Sequence, residues 1–279
     1  GSFIAMKIAM RGFSPLLVVF CRMALASAVF GLLWRRLGGF RAVRGDWPAL
    51  LFMAFCEPCL YFVFEAKALT LTQASQASMV TALLPLLTAV TAAVVLKETL
   101  TRRTLAGLLL AVAGVVIMSL SGETTAEAPQ PILGNFLEFL AMCCAVGYIV
   151  TARKLAARHR PLFLTAVQSF TGTVFFAPVL LFTPLPERIA TGPALAVVFL
   201  GIGVTFVAYG LYNLGVSRVP AAQAAAFINL IPVVTCLLSG MLLDENLTAL
   251  QWSGGAMALC GVAVSARPGK AAPQSPRRE

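Results

Sequence analysis

Apolar residues run along this chain in long blocks separated by short polar or basic stretches, without the one-sided period of a soluble helix or the alternation of a strand. Blocks of about 17 to 25 mainly apolar residues are long enough to cross a bilayer as helices. They predict spans near 15–34, 48–69, 73–96, 104–120, 132–154, 162–183, 194–217, 220–243 and 250–266. The remaining stretch, 1–12, is too short to cross.

The blocks also repeat. At a distance of 147 residues Pro85 falls on Pro232, Glu98 on Glu245, Leu100 on Leu247, Gly107 on Gly254 and Gly114 on Gly261. An earlier pair of segments matches at 146, with Gly1 on Gly147, Lys7 on Arg153, Pro15 on Pro161 and Phe30 on Phe176. A long internal repeat in a membrane chain is the signature of a transporter built from two halves. The 146 register sets 1–12 against the second part of span 132–154, which predicts that a truncated first span lacks about fourteen residues ahead of Gly1.

Counting that span gives five per half, ten in all, and an odd number per half forces the second half to cross in the opposite sense. The expected fold is therefore all-α and polytopic, with ten transmembrane helices in two inverted five-helix repeats. The first repeat occupies 1–120, a linker 121–131, the second repeat 132–266 and a disordered tail 267–279.

Loop charge gives an independent orientation. With the N-terminus inside, sixteen lysines and arginines fall in inner loops and the inner tail, among them Arg35, Arg102, Arg153 and Arg218; only Arg11 and Arg188 lie outside. Both termini are expected in the cytoplasm and the linker outside. His159 falls in a basic inner loop, where it reads as solvated.

Composition supports the class: 59% of residues are apolar and 11% charged, far below the quarter or so usual in soluble proteins. The net charge of +10 sits in the loops that topology requires, so no nucleic-acid partner is expected. The seven cysteines fall within apolar runs and read as packing residues, Cys56 and Cys59 included; no metal site is expected.

Several motifs resemble the EamA family of the drug/metabolite transporter superfamily: Gly1-Ser2-Phe3 with Lys7, Pro15 with Arg22, Ala68-Leu69 leading through Ala74 and Ala77 to Pro85, and Lys97-Glu98 followed by Gly107 and Gly114. The second half repeats this with Pro232, Glu245 and Gly261. The resemblance covers essentially the whole chain. It implies a ten-helix inverted-repeat carrier of amino acids, other metabolites or drugs, often exported, with a central cavity between spans one, three and four and their counterparts. The halves differ where Arg22 aligns with Gln168, Glu57 with Val204 and Glu65 with Tyr212.

Ionisable groups at membrane depth cost roughly 2.5 to 3.5 kcal/mol each on insertion scales, so they face protein or water and become candidates for function. Glu57, Tyr61 and Glu65 are spaced to share one helical face about 12 Å long. Glu57 precedes Pro58, whose missing N–H frees the Ala54 carbonyl and permits a kink. It reads as a carboxylate for a substrate ammonium or a proton, or as one permanently paired with a buried arginine. Lys7, Arg22, Glu65 and Glu138 suggest an outer gate of ion pairs or a static cluster. Lys67 points away from Glu65 and snorkels to the interface.

Pro85 and Pro232 occupy equivalent places and predict paired helix irregularities beside a midplane site. Around them Gln76, Tyr148, Tyr209, Asn213, Gln223 and Asn229 are candidates for substrate contact or for binding helices to one another. Glu98 and Glu245 each precede a helix, where a carboxylate favours the positive end, and read as structural. The glycines at 107, 114, 254 and 261 predict close helix contact.

These features favour a secondary transporter of a small metabolite, an amino acid or similar, exporting across the cytoplasmic (inner) membrane by alternating access. It is expected to act as a monomer with no cofactor, and proton coupling through Glu57 or Glu65, uniport and exchange are the alternatives for its energetics. The alternatives are a multidrug or cation efflux carrier of the same fold and a membrane-embedded enzyme. The latter is disfavoured because no H-E-x-x-H, aspartate pair or Ser/His set appears. A channel lacks a recognisable filter, and without a Walker A sequence the chain does not itself use ATP.

Overall fold

The computed structural model describes residues 1–34, 45–96, 102–122, 124–186, 188–218, 228 and 230–266. Within them the chain is helical, with no strand, and it forms ten rods in sequence. α1 is Ser2–Met10, α2 Pro15–Leu33 and α3 Trp47–Ala68. α4 has two α-helical pieces, Ala74–Val80 and Leu84–Leu96, and α5 is Arg102–Leu120. α6 is Pro131–Leu155 and α7 Pro161–Phe182; α8 joins Thr191–Val198, Phe199–Ala208 and Tyr209–Arg218. α9 is Leu230–Leu242 and α10 Ala249–Ala266.

Prolines open several rods: Pro15, Pro131 and Pro161 sit in the first turn, where a missing N–H costs nothing. Prolines inside them break the regular pattern. α7 is interrupted around Pro178, between Phe176 and Val179. α4 tightens to a 3-10 turn, Thr81–Leu83, just ahead of Pro85, an irregularity of the kind that proline predicts within the span 73–96.

Six stretches among the described residues are long and apolar enough to cross a membrane: Pro15–Leu33, Trp47–Ala68, Ala74–Thr91, Pro131–Leu155, Pro161–Phe182 and Thr191–Gly215. Leu105–Leu120, Leu230–Leu242 and Ala249–Val264 are shorter apolar helices. Large apolar side chains such as Leu32, Leu181, Phe182 and Met241 are exposed, a surface suited to lipid and not to water. This is a multi-pass, all-helical membrane protein.

Contacts between rods recur when the two halves are exchanged. α1 packs on α8 and α6 on α3; α2 packs on α8 and α7 on α3. Three pairs are their own counterparts: α2 with α7, α4 with α9, and α5 with α10. The last pair is drawn in closest. A β-carbon at Gly114 would lie 2.5 Å from the Gly254 carbonyl oxygen, and one at Gly254 would lie 2.7 Å from the Gly114 carbonyl oxygen. Farther along, one at Gly261 would lie 2.5 Å from the Gly107 carbonyl oxygen. Backbone meets backbone there, and only glycine leaves room.

Candidate functional site

The site begins at a break in α3. Within Phe55–Leu60 the helix is kinked, Glu57 being extended with φ −146° and ψ 118° and the Glu57–Pro58 peptide cis. Pro58 has no N–H to donate, so the regular ladder fails here as its position predicts. Backbone left open inside a membrane protein must find a partner in a neighbouring element. The amide nitrogen of Gln168 on α7 supplies one, donating to the Glu57 carbonyl at 3.0 Å. Gly172, one turn on, lets α7 come this near: a β-carbon there would fall 2.7 Å from the Pro58 ring.

Glu57 is thereby turned to face a cavity of about 450 Å³ between the halves. α3 contributes Glu57, Tyr61 and Glu65 to its wall; α6 contributes Tyr148, and α8 contributes Tyr209 and Tyr212. Thr81 and Leu84 line it from the irregular part of α4, and Ile228 and Ile231 from beside Pro232. The Tyr209 hydroxyl donates to Glu57 Oε1 at 2.5 Å, and Tyr61 donates to Glu65 Oε1 at 2.9 Å. The second oxygen of each carboxylate has no hydrogen-bond partner among the described residues, although Glu57 is only 4% and Glu65 3% exposed.

Asn213 stands just behind the wall. Its carbonyl accepts from the Tyr148 hydroxyl at 2.8 Å, and its amide donates to Thr165 Oγ1 and to Gln168 Oε1. Tyr148, Asn213, Gln168 and the Glu57 carbonyl thus form one chain of hydrogen bonds across α6, α8, α7 and α3. Gln168 is the member the sequence pattern marked only as a mismatch with Arg22.

The other expected positions fall elsewhere. Gln76 does not line the cavity; it accepts from Asn135 at 3.0 Å, in a network with Thr72 and Ser119 near the start of α6. Gln223 and Asn229 lie outside the described residues.

Lys7, Arg22, Glu65 and Glu138 form no ion pair with one another in this structure. Lys7 donates to the Glu127 carbonyl at 3.1 Å. Arg22, 1% exposed, donates through Nε to Thr205 Oγ1 at 3.0 Å and lays its guanidinium 4.3 Å above the Phe62 ring. Both of its terminal nitrogens are buried without a partner, as are both carboxyl oxygens of Glu138. Cation–π contact and a hydroxyl replace the expected carboxylate.

Two further residues overturn their sequence reading. Glu245 does not serve the helix that follows it; its oxygens accept from the Ala74 and Ser75 amides at 2.9 and 3.0 Å and from the Ser75 hydroxyl at 2.8 Å. It therefore caps α4 of the other half, where unpaired amides of a helix start attract a carboxylate. Its counterpart Glu98 lies outside the described residues. His159 is buried, not solvated: its Nε2 sits 2.9 Å from Asp46, which also meets Arg158 at 3.2 Å, tying the start of α3 to the turn before α7.

Among the described residues no cluster of His, Cys, Asp and Glu could hold a metal ion. The chain matches the model of the EamA-like transporter family over residues 1–120 and again over 132–267. It is 29% identical to the uncharacterized transporter YcxC of Bacillus subtilis, over 95% of this chain and 88% of that one. It is 24% identical to a probable terminal-alkyne amino-acid exporter of Streptantibioticus cattleyicolor, over 94% and 87%. A solved crystal structure superposes with a TM-score of 0.67 over 95% of this chain and 96% of the other, at 22% identity, a likeness of fold alone.

Proposed function

Because the chain belongs to the EamA-like transporter family, we propose that it is a secondary carrier moving a small ammonium-bearing metabolite, an amino acid or related amine, out of the cell by alternating access. The observation that carries this reading is Glu57: a carboxylate held at a break in a membrane helix, bonded on one oxygen by Tyr209 and facing a cavity between the halves. The names of the family and of these relatives speak of transport and not of catalysis, and one relative is named for amino-acid export.

The architecture that suits this function is a ten-helix inverted repeat of 1–120 and 132–266, joined by the linker 121–131. The exchange of helix contacts between halves and the reciprocal glycine contacts of α5 and α10 support it. Loop charge supports cytoplasmic termini and residence in the cytoplasmic membrane. The halves rock about the cavity, and the Glu245 cap, which joins α4 to the segment between α9 and α10, is a contact that must open when the outer side does. A proton on Glu57 or Glu65 exchanges with the substrate ammonium, so that one gradient drives the other. The carrier works as a monomer and needs no further cofactor.

The test is counterflow in proteoliposomes. Saturable exchange that fails in Glu57→Gln, together with loss of flux driven by a pH gradient, is the expected result. Full flux with unchanged pH dependence in that variant would remove Glu57 from the mechanism.

A further inference from the structure

Resting on the carrier reading, we infer that the cavity takes an organic amine that carries no carboxylate, in preference to the amino acid of the same skeleton. The argument is one of charge inventory. Among the described residues Glu57 and Glu65 are the carboxyl side chains on the wall, and no lysine or arginine lines it. Arg22 is not on the wall: it gives Nε to Thr205 and lies over the Phe62 ring, and its charge offsets part of that of Glu57 and Glu65, while Glu138 adds another carboxyl beside Glu65.

A ligand carboxylate entering this space would meet two carboxylates and, among the described lining residues, no lysine or arginine side chain. Burying an unpaired anion is costly, and like charges in a low-dielectric site add to that cost. The hydroxyl donors that could compensate are committed: Tyr209 to Glu57, Tyr61 to Glu65 and Tyr148 to Asn213. That leaves the hydroxyls of Tyr212, which has no partner, and of Ser2 at the start of α1 as neutral donors on the wall.

An ammonium is served at every point. The free oxygens of Glu57 and Glu65 accept its hydrogens, and the four tyrosine rings offer π faces. The remaining wall is apolar, with Leu84, Met142, Phe199 and Ile231 suited to a hydrocarbon body. A cavity of about 450 Å³ is of a size that takes a small ligand. Two carboxylates on one face of α3 extend the class to diamines, each end finding its own acceptor.

The experiment compares matched pairs on the purified chain: tyramine against tyrosine and cadaverine against lysine, by thermal shift and by tracer binding. We expect one amine at least to bind about tenfold or more tightly than its parent amino acid. In Glu57→Gln and Glu65→Gln, checked by gel filtration, that preference should fall to within about twofold. If Glu57→Gln does not yield monodisperse protein, Glu65→Gln and the wild-type pairs decide. Equal binding, a preference for the amino acid, or binding of neither overturns the inference. Saturable counterflow of another solute would then leave the carrier reading standing, whereas no saturable exchange of any solute would overturn that reading as well.

Discussion

The α5–α10 seam and the α3–α8 walls are both places where equivalent helices of the two halves do equivalent work, yet they have fared differently. At the seam the halves agree: Gly114 and Gly254 are each set against the other's carbonyl, and Gly261 against that of Gly107. At the walls both helices are irregular, α3 kinked within Phe55–Leu60 and α8 widened into a π-helical stretch at Phe199–Ala208, and their side chains have diverged. α3 brings the carboxylates Glu57 and Glu65, and α8 brings Tyr209, which holds one of them. A contact that must close on its own copy tolerates one residue type, whereas a cavity needs an acceptor on one side and a donor on the other.

The sharpest way to break this comparison is at the seam. Gly254→Leu forces a side chain into the α5 backbone and should cost about 3 kcal/mol or more, seen as loss of monodisperse protein. Gly114→Leu should cost the same, and unequal losses would mean that the seam is not symmetric in energy.

At the walls, Glu57→Gln should leave the melting temperature nearly intact and weaken amine binding about thirtyfold or more, as for a buried charge pair losing one member. Tyr209→Phe removes a donor to that carboxylate and should weaken binding about fivefold. An unchanged affinity would show that α8 contributes shape alone. Gln168→Ala deprives the α3 break of its external partner and should lower stability by about 1 kcal/mol, read from thermal melts.

Much of this was legible in the chain because membrane helices are written in continuous apolar blocks and the repeat fixes their pairing. The shared face of Tyr61 and Glu65 followed from helical spacing and the break from Pro58, whereas Glu57 joins them because the break turns it, which regular spacing does not describe. What could not be read were contacts made across the halves at no fixed sequence separation. Gln168 bonding a carbonyl on α3, Glu245 capping α4 and His159 meeting Asp46 all depend on which ends meet in space. Charge alone also misled for Arg22, where a hydroxyl and an aromatic face stand in the place of an acid.

The buried carboxylate of Glu57 has an electrical consequence on the carrier reading. A site that takes up one proton for each monovalent ammonium it releases has the same charge on both journeys. A site that returned empty would instead carry one uncompensated charge, on which a potential of 100 mV acts with about 2.3 kcal/mol. Export driven by a pH gradient should therefore be indifferent to a potassium diffusion potential imposed on proteoliposomes, and export that follows the voltage would show that the carboxylate returns without its proton.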